Sequence, residues 1–190
     1  MAVALIAGLG NPGDRYAGTR HNAGFWFADA VVAAHGGTFQ TESRYKAEVA
    51  RLRVDGHDLR VVKPLTYMNR SGQAVGDLAR FYRIPVEAIL VAHDELDLDP
   101  GCVRLKSGGG HGGHNGLRDL VSHLGSREFH RLRLGIGHPG SAKDVVEYVL
   151  KKPSVADRRA IDDAVDEAVR ELPTIVAGDF ANAMNRLHQR

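Results

Sequence analysis

A chain of 190 residues, 43% hydrophobic and 25% charged, fits one domain spanning 1–190 around a single core, since cores stop growing only near about 250 residues; this composition excludes a disordered chain. The one cysteine, Cys102, cannot form an internal disulfide, and no run approaches the roughly 18 apolar residues of a membrane span, so the expected setting is cytoplasmic. A formal net charge of +2 is compatible with a nucleic-acid partner without requiring one.

Residues 2–9 form an apolar, β-rich run. It lacks a basic start and is broken between Gly8 and Gly13, so it reads as a buried strand and not as a secretory signal. Asn22 stands where a helix N-cap belongs, ahead of a helix over 23–35 with Phe25, Phe27, Ala28, Val31 and Val32 as apolar positions and Gly36-Gly37 as its stop. Strands over 47–54 and 58–64 flank Asp55-Gly56, a two-residue hairpin signal. Ser71 is expected to cap a helix reaching about Arg83, ended by Pro85, and 89–92 and 101–106 read as strands. The glycine-rich loop 108–113 leads into a helix from Asn115 to about Leu124. A strand over 129–136 and helices over 143–151, 154–171 and 174–188 follow, the last two split by Pro173. Alternating strands and helices with one hairpin imply an α/β fold, a twisted mixed sheet flanked by helices.

Gly8-Leu9-Gly10-Asn11-Pro12-Gly13 matches G-x-G-x-x-G directly after a strand. A dinucleotide fingerprint needs a helix opening at that loop and an acid about twenty residues on, at a strand end. Here Asp14 to Arg20 intervenes before any helix, and Asp29 falls inside a helical pattern, so no such cofactor is expected. His21 carries more weight. It follows the first strand and its loop, at the edge of an α/β sheet where ligands bind, and His93-Asp94-Glu95 follows another strand. A carboxylate that accepts the proton of one imidazole nitrogen leaves the other free to take a proton from water. Asp94 is the best candidate for that partner, and spacing alone leaves Glu95 and Asp97 open.

The chain has no G-x-S-x-G elbow; Ser71 is better used as a cap and Cys102 as a small core residue. The chemistry therefore points to water activated by His21 as general base. There is no H-E-x-x-H and no cysteine cluster, and His111 and His114 stand in a glycine loop, so no catalytic metal is expected. Asn11, Asn69 and Asn115 lie at element boundaries, where an amide can grip a peptide's C=O and N–H without adding charge. Each also has a local use: Asn11 in its turn, Asn69 ahead of a cap, Asn115 as a cap. Tyr67 and Met68 offer an apolar wall beside Asn69.

Five blocks in order carry a resemblance. They are Gly8 to Gly13 with Tyr16 and Thr19-Arg20-His21-Asn22-Ala23-Gly24; Tyr67-Met68-Asn69-Arg70-Ser71-Gly72; His93-Asp94-Glu95-Leu96-Asp97; the run from Lys106 to Gly116; and Arg131-Leu132-Arg133-Leu134-Gly135-Ile136-Gly137. Together they resemble the bacterial-type peptidyl-tRNA hydrolases over nearly the whole chain. The resemblance implies cofactor-free hydrolysis of the ester of N-blocked peptidyl-tRNA by a monomer, away from membranes. His21 would be the proton acceptor and Asp94 the group that keeps it basic and oriented. Asn11 would distinguish a blocked peptidyl group from a free aminoacyl group. Asn69 and Asn115 would hold the peptide backbone or the terminal nucleotide, with Tyr16, Tyr67, Met68 and His114 lining the cleft. Lys106 and Arg133 would clamp the tRNA 5′-phosphate and so measure the acceptor stem from its 3′ end. A non-catalytic RNA-binding protein of the same fold and a metal-dependent esterase are the competing readings; the intact His21, Asp94 and Asn11 speak against the first.

Overall fold

The computed structural model of the chain describes residues 1–188. Seven strands form one sheet: β1 (Leu5–Gly8), β2 (Gln40–Glu42), β3 (Ala47–Val54), β4 (His57–Pro64), β5 (Ile89–Glu95), β6 (Val103–Ser107) and β7 (His130–Gly135). Their order is β2-β3-β4-β1-β5-β7-β6. The central four, β4, β1, β5 and β7, run parallel, while β2, β3 and β6 pair antiparallel toward the edges. The mixed sheet follows from the sequence pattern. β1 and most of β5 are unbroken apolar runs because helices cover both of their faces, whereas β3 alternates, with Ala50, Leu52 and Val54 inward and Arg51 and Arg53 exposed. Asp55 and Gly56, both with positive φ, turn β3 into β4 as the hairpin signal requires.

The helices described are α1 (Asp14–Ala17), α2 (Ala23–Ala34), α3 (Ser71–Phe81), α4 (Asn115–Leu124), α5 (Val145–Val149), α6 (Val155–Arg170), α7 (Leu172–Val176) and α8 (Phe180–Leu187). One core layer joins the sheet to α2, α6 and α7 through Phe27, Val31, Ile161, Val165 and Ile175. The other joins it to α3 and α4 through Val75, Leu78, Leu117 and Leu120. Two glycines set how closely α2 approaches. A Cβ on Gly24 would stand 2.4 Å from the carbonyl oxygen of Ala92 and 2.5 Å from the Leu9 nitrogen, and one on Gly8 would stand 2.4 Å from the Gly24 oxygen. The start of α2 therefore lies flush on the ends of β1 and β5, and His21, just upstream, is held over those strand ends.

Several sequence expectations are corrected. Asn22 does not cap α2; its amide faces Asn11. Ser71 is the first residue of α3, and its hydroxyl donates to the Met68 carbonyl at 2.8 Å. The cap of α4 is His114, one residue before Asn115. The single turn α1 fills a segment expected to be non-helical, and Gly178 with Asp179 divides the expected helix 174–188 into α7 and α8. β2 was not foreseen: its three residues are exposed, and backbone pairing with β3 alone defines it. Cys102 is half-buried, not a core residue. Among the described residues no helix is long and apolar enough to cross a membrane.

Candidate active site

The ends of β1 and β5 bring His21 and Asp94 into contact. His21 sits in a 3₁₀ turn, Arg20–Asn22, and its Nδ1 lies 2.8 Å from Asp94 Oδ2. The other carboxylate oxygen, Oδ1, lies 2.8 Å from His114 Nε2. His114 has its own constraint: its Nδ1 accepts the backbone N–H groups of Gly116 and Leu117, at 3.1 and 3.2 Å, and thereby caps α4. A nitrogen that accepts cannot carry the ring proton. The proton of neutral His114 therefore sits on Nε2 and is donated to Asp94. For His21 the constraint comes from Asp94: an ionised carboxylate can only accept, so the proton between them sits on Nδ1, and Nε2 keeps its lone pair with no hydrogen bond among the described residues.

Electrostatics agree with this assignment. Burial, the largest influence on His21, lowers its pKa, but the Asp94 charge and hydrogen bond together outweigh it and raise the group above its ordinary 6.5. Burial likewise pushes Asp94 up; the two imidazoles outweigh it and hold the carboxyl well below the usual carboxylate range, so it stays ionised. His93, 2% exposed, has its Nδ1 2.8 Å from the Asp94 carbonyl oxygen. Burial, helped by His114, pushes it down to about 4, so it is neutral near pH 7.

Asn11 is fixed almost as firmly. The amide of Asn22 brackets its backbone: Oδ1 accepts the Asn11 N–H at 2.8 Å, and Nδ2 donates to the Asn11 carbonyl at 2.9 Å. The side-chain Oδ1 of Asn11 accepts the Met68 N–H at 2.7 Å. Its oxygen is thus already engaged, and the amide group left wholly free for a ligand is Nδ2, a donor.

These groups line a cleft of about 540 Å³. Asn11, His21, Asp94 and His114 line it together with Met68 and the exposed Tyr67, Asn69 and Asn115. Tyr16 is not on its wall but meets Tyr67 edge to face, with ring centroids 6.3 Å apart. Another stretch of its wall, unassigned from sequence, is apolar: Val145, Val146, Val149 and Leu150 of α5 and its end. Its signal was present in the sequence as paired apolar residues at helical spacing. Arg20 ties that wall to the His21 turn, donating to the Tyr148 carbonyl at 2.9 Å and stacking on the Tyr148 ring.

Lys106 and Arg133 lie outside the cleft, on the neighbouring strands β6 and β7. In their register Lys106 is opposite Arg131 and Arg104 opposite Arg133, so the four basic side chains share one face. Lys106 is exposed, with no ion pair among the described residues. Arg133 donates through Nε to Glu95 Oε1 at 2.8 Å, and Glu95 does line the cleft. Arg131 received no role from sequence reasoning. It is 2% exposed, stacks on Phe129, and donates to the carbonyls of Gly109 and Gly110, pinning the loop that leads to His114.

Among the described residues one group offers metal-ligand atoms: single atoms of His21, Asp94 and His114 lie within 4.8 Å of one another. The donor set fits an ion poorly. Both ring nitrogens facing Asp94 carry protons, and the second nitrogen of His114 is engaged by the backbone. His111 does not join this group; its Nδ1 accepts the Gly113 N–H at 3.0 Å. The glycine motif likewise serves packing: Gly10 lies against the Phe25 ring, α1 has only four residues, and Asp29 pairs with Lys63.

Comparison with known proteins gives a consistent result. The peptidyl-tRNA hydrolase family model matches residues 5–190. The chain is 58% identical to a peptidyl-tRNA hydrolase of Halorhodospira halophila, over 97% of this chain and 95% of that protein. It is 57% identical to one of Alkalilimnicola ehrlichii, over 99% and 96% of the two chains. The crystal structure of peptidyl-tRNA hydrolase from Acinetobacter baumannii superposes with a TM-score of 0.96 at 50% identity, covering 98% of this chain and 95% of that one.

Proposed function

We propose, since this chain belongs to the peptidyl-tRNA hydrolase family, that it hydrolyses the ester between an N-blocked peptide and tRNA with water activated by His21. The observation that carries this reading is the His21 ring, anchored through Nδ1 to Asp94 Oδ2 with Nε2 unpaired at the cleft. His21 Nε2 takes a proton from water as its oxygen attacks the ester carbonyl carbon. The bond from that carbon to the 3′-ribose oxygen then breaks, and the imidazolium returns the proton to the leaving oxygen. Asp94 holds the tautomer and stabilises the transient cation, while His114 occupies its second oxygen and keeps it from turning away.

Asn11 would read the substrate's N-blocking group. Because its Nδ2 donor is wholly free while its oxygen is already engaged, it suits the carbonyl oxygen of a peptide bond. It offers less to a free ammonium, itself a donor, which would have to share the oxygen already held by the Met68 N–H. A cleft of about 540 Å³ accommodates a small-molecule-sized ligand, here an aminoacyl residue and part of the terminal nucleotide, with Asn69 and Asn115 at its rim. The rest of the tRNA must lie on the surface, where Lys106 and Arg133 would hold the 5′-phosphate. The proton on His114 Nε2 supports hydrolysis without a metal ion at this cluster.

The test is tRNA release from N-acetylaminoacyl-tRNA and from its free-amine counterpart, each with and without exhaustive chelation. The blocked ester should be cleaved much faster, and chelation should change neither rate. Equal rates would refute the role of Asn11, and loss on chelation would refute metal independence.

A further inference from the structure

Resting on the reading of Lys106 and Arg133 as the phosphate clamp, we propose that Glu95 is a positioning residue with two effects on Arg133. It fixes which edge of the guanidinium faces the phosphate, and it weakens the clamp so that cleaved tRNA can leave.

The geometry of the first effect is direct. Glu95 ends β5, beside β7, which carries Arg133. Its Oε1 accepts the Nε–H of Arg133 at 2.8 Å, and its Oε2 accepts the Asp97 N–H at 3.3 Å. With both oxygens tied, the carboxylate cannot swing aside. A guanidinium has five N–H donors in a fixed fork. Engaging Nε closes the side edge of the fork and leaves the two terminal nitrogens, a pair that can grip a phosphate bidentately end-on. Among the described residues those terminal nitrogens make no hydrogen bond.

The second effect follows from charge. Lys106 and Arg133 bring two positive charges to the β6–β7 face, and Glu95 sets one negative charge against the guanidinium. Burial pushes the Glu95 carboxyl up, but the Arg133 hydrogen bond, the nearby His93 and the Arg133 charge together pull it down, so it stays ionised. An ionised carboxylate beside the clamp repels an incoming phosphate. The need for such a brake lies in the reaction itself. Ester hydrolysis leaves the 5′-phosphate untouched, so the clamp holds substrate, transition state and product tRNA alike. Uniform binding of that kind does not raise kcat, and an unmoderated clamp would slow release of tRNA.

The experiment measures binding of a CCA-ended acceptor-stem RNA hairpin, bearing either a 5′-phosphate or a 5′-hydroxyl, to the full chain. Glu95→Gln keeps an oxygen for Arg133 Nε–H and removes the charge. It should bind the phosphorylated hairpin about three- to tenfold tighter, gain less on the hydroxyl form, and show a matching fall in the inhibition constant of deacylated tRNA. The gain should vanish in Glu95→Gln/Arg133→Gln. Glu95→Ala, which removes the Nε acceptor as well, should bind the phosphorylated hairpin less tightly than Glu95→Gln; equal binding would refute the orienting effect. Unchanged or weaker binding by Glu95→Gln, with Arg133→Gln weakening the wild type, would overturn the braking effect while leaving the clamp intact. If Lys106→Ala and Arg133→Gln both left the two hairpins bound as in the wild type, the clamp reading itself would fail.

Discussion

In the His21–Asp94–His114 cluster every ring proton has one place to be, and each carboxylate oxygen has one partner at 2.8 Å. On the β6–β7 face Lys106 stands in solvent, and Arg133 is held by a single nitrogen. The contrast matches what each region would do under the proposed function. Proton transfer depends on the correct tautomer and on close heavy-atom contact, so it needs a buried network in which every group but the reacting nitrogen is satisfied. Attraction between cations and phosphates decays over a Debye length of about 8 Å at physiological salt, so it tolerates exposed and loosely held side chains. The same difference separates how the two regions should respond to mutation.

The largest effect belongs to Asp94. An asparagine there has only one oxygen for two ring N–H donors, and its NH₂ meets one of them head on. Asp94→Asn should lower kcat by about 10²- to 10⁴-fold. In the wild type kcat/KM should rise with pH as His21 loses its proton, with a midpoint above 6.5 because the folded pKa is raised. Residual activity of the variant should show a lower midpoint, since the charge that raises His21 is gone. Wild-type turnover with an unshifted midpoint would break the distinction between the two regions.

Smaller and different in kind is the effect of Lys106→Ala or Arg133→Gln. Each should weaken tRNA binding and reduce the slope of log affinity against log salt by about one. Turnover at saturating substrate should change far less than for Asp94→Asn. Salt titrations of tRNA affinity check this; an unchanged slope would remove the residue from the clamp.

The smallest effect concerns stability. His93 is pushed down to about 4 by burial and His114, so the unfolded chain binds its proton first. Its contribution is complete above the ordinary 6.5 and is lost as pH falls from there toward about 4. His21 has the opposite sign: its contribution is complete below 6.5 and lost as pH rises through its raised value. Urea unfolding between pH 7.5 and 4.5 should therefore show a shallower acid decline in His93→Gln than in the wild type. Parallel curves would mean that His93 is not held neutral by the fold.

The sequence disclosed the elements whose signals are local and periodic. The Asp55-Gly56 hairpin, the apolar runs of β1 and β5 and the placement of His21 and Asp94 at strand ends all came from residue patterns. It misled where a polar side chain beside a helix had a distant use. Asn22 lies in an N-cap position, yet its amide serves Asn11, eleven residues away. His114, weighed as a possible metal ligand and then as a cleft residue, is both cap of α4 and second partner of Asp94. Arg131 was invisible because nothing in a basic residue on a strand tells that its guanidinium will turn inward onto a glycine loop. The Glu95–Arg133 contact spans 38 residues, beyond any local rule.

His21→Ala, in a single-turnover assay paired with a tRNA binding measurement, tests whether His21 supplies the base or serves as a tRNA contact. If His21 is the base, the variant should lose at least about 10²-fold in the rate of ester cleavage, with tRNA affinity close to that of the wild type. A variant that cleaves at the wild-type rate, or that fails only because it no longer binds tRNA, would contradict that role.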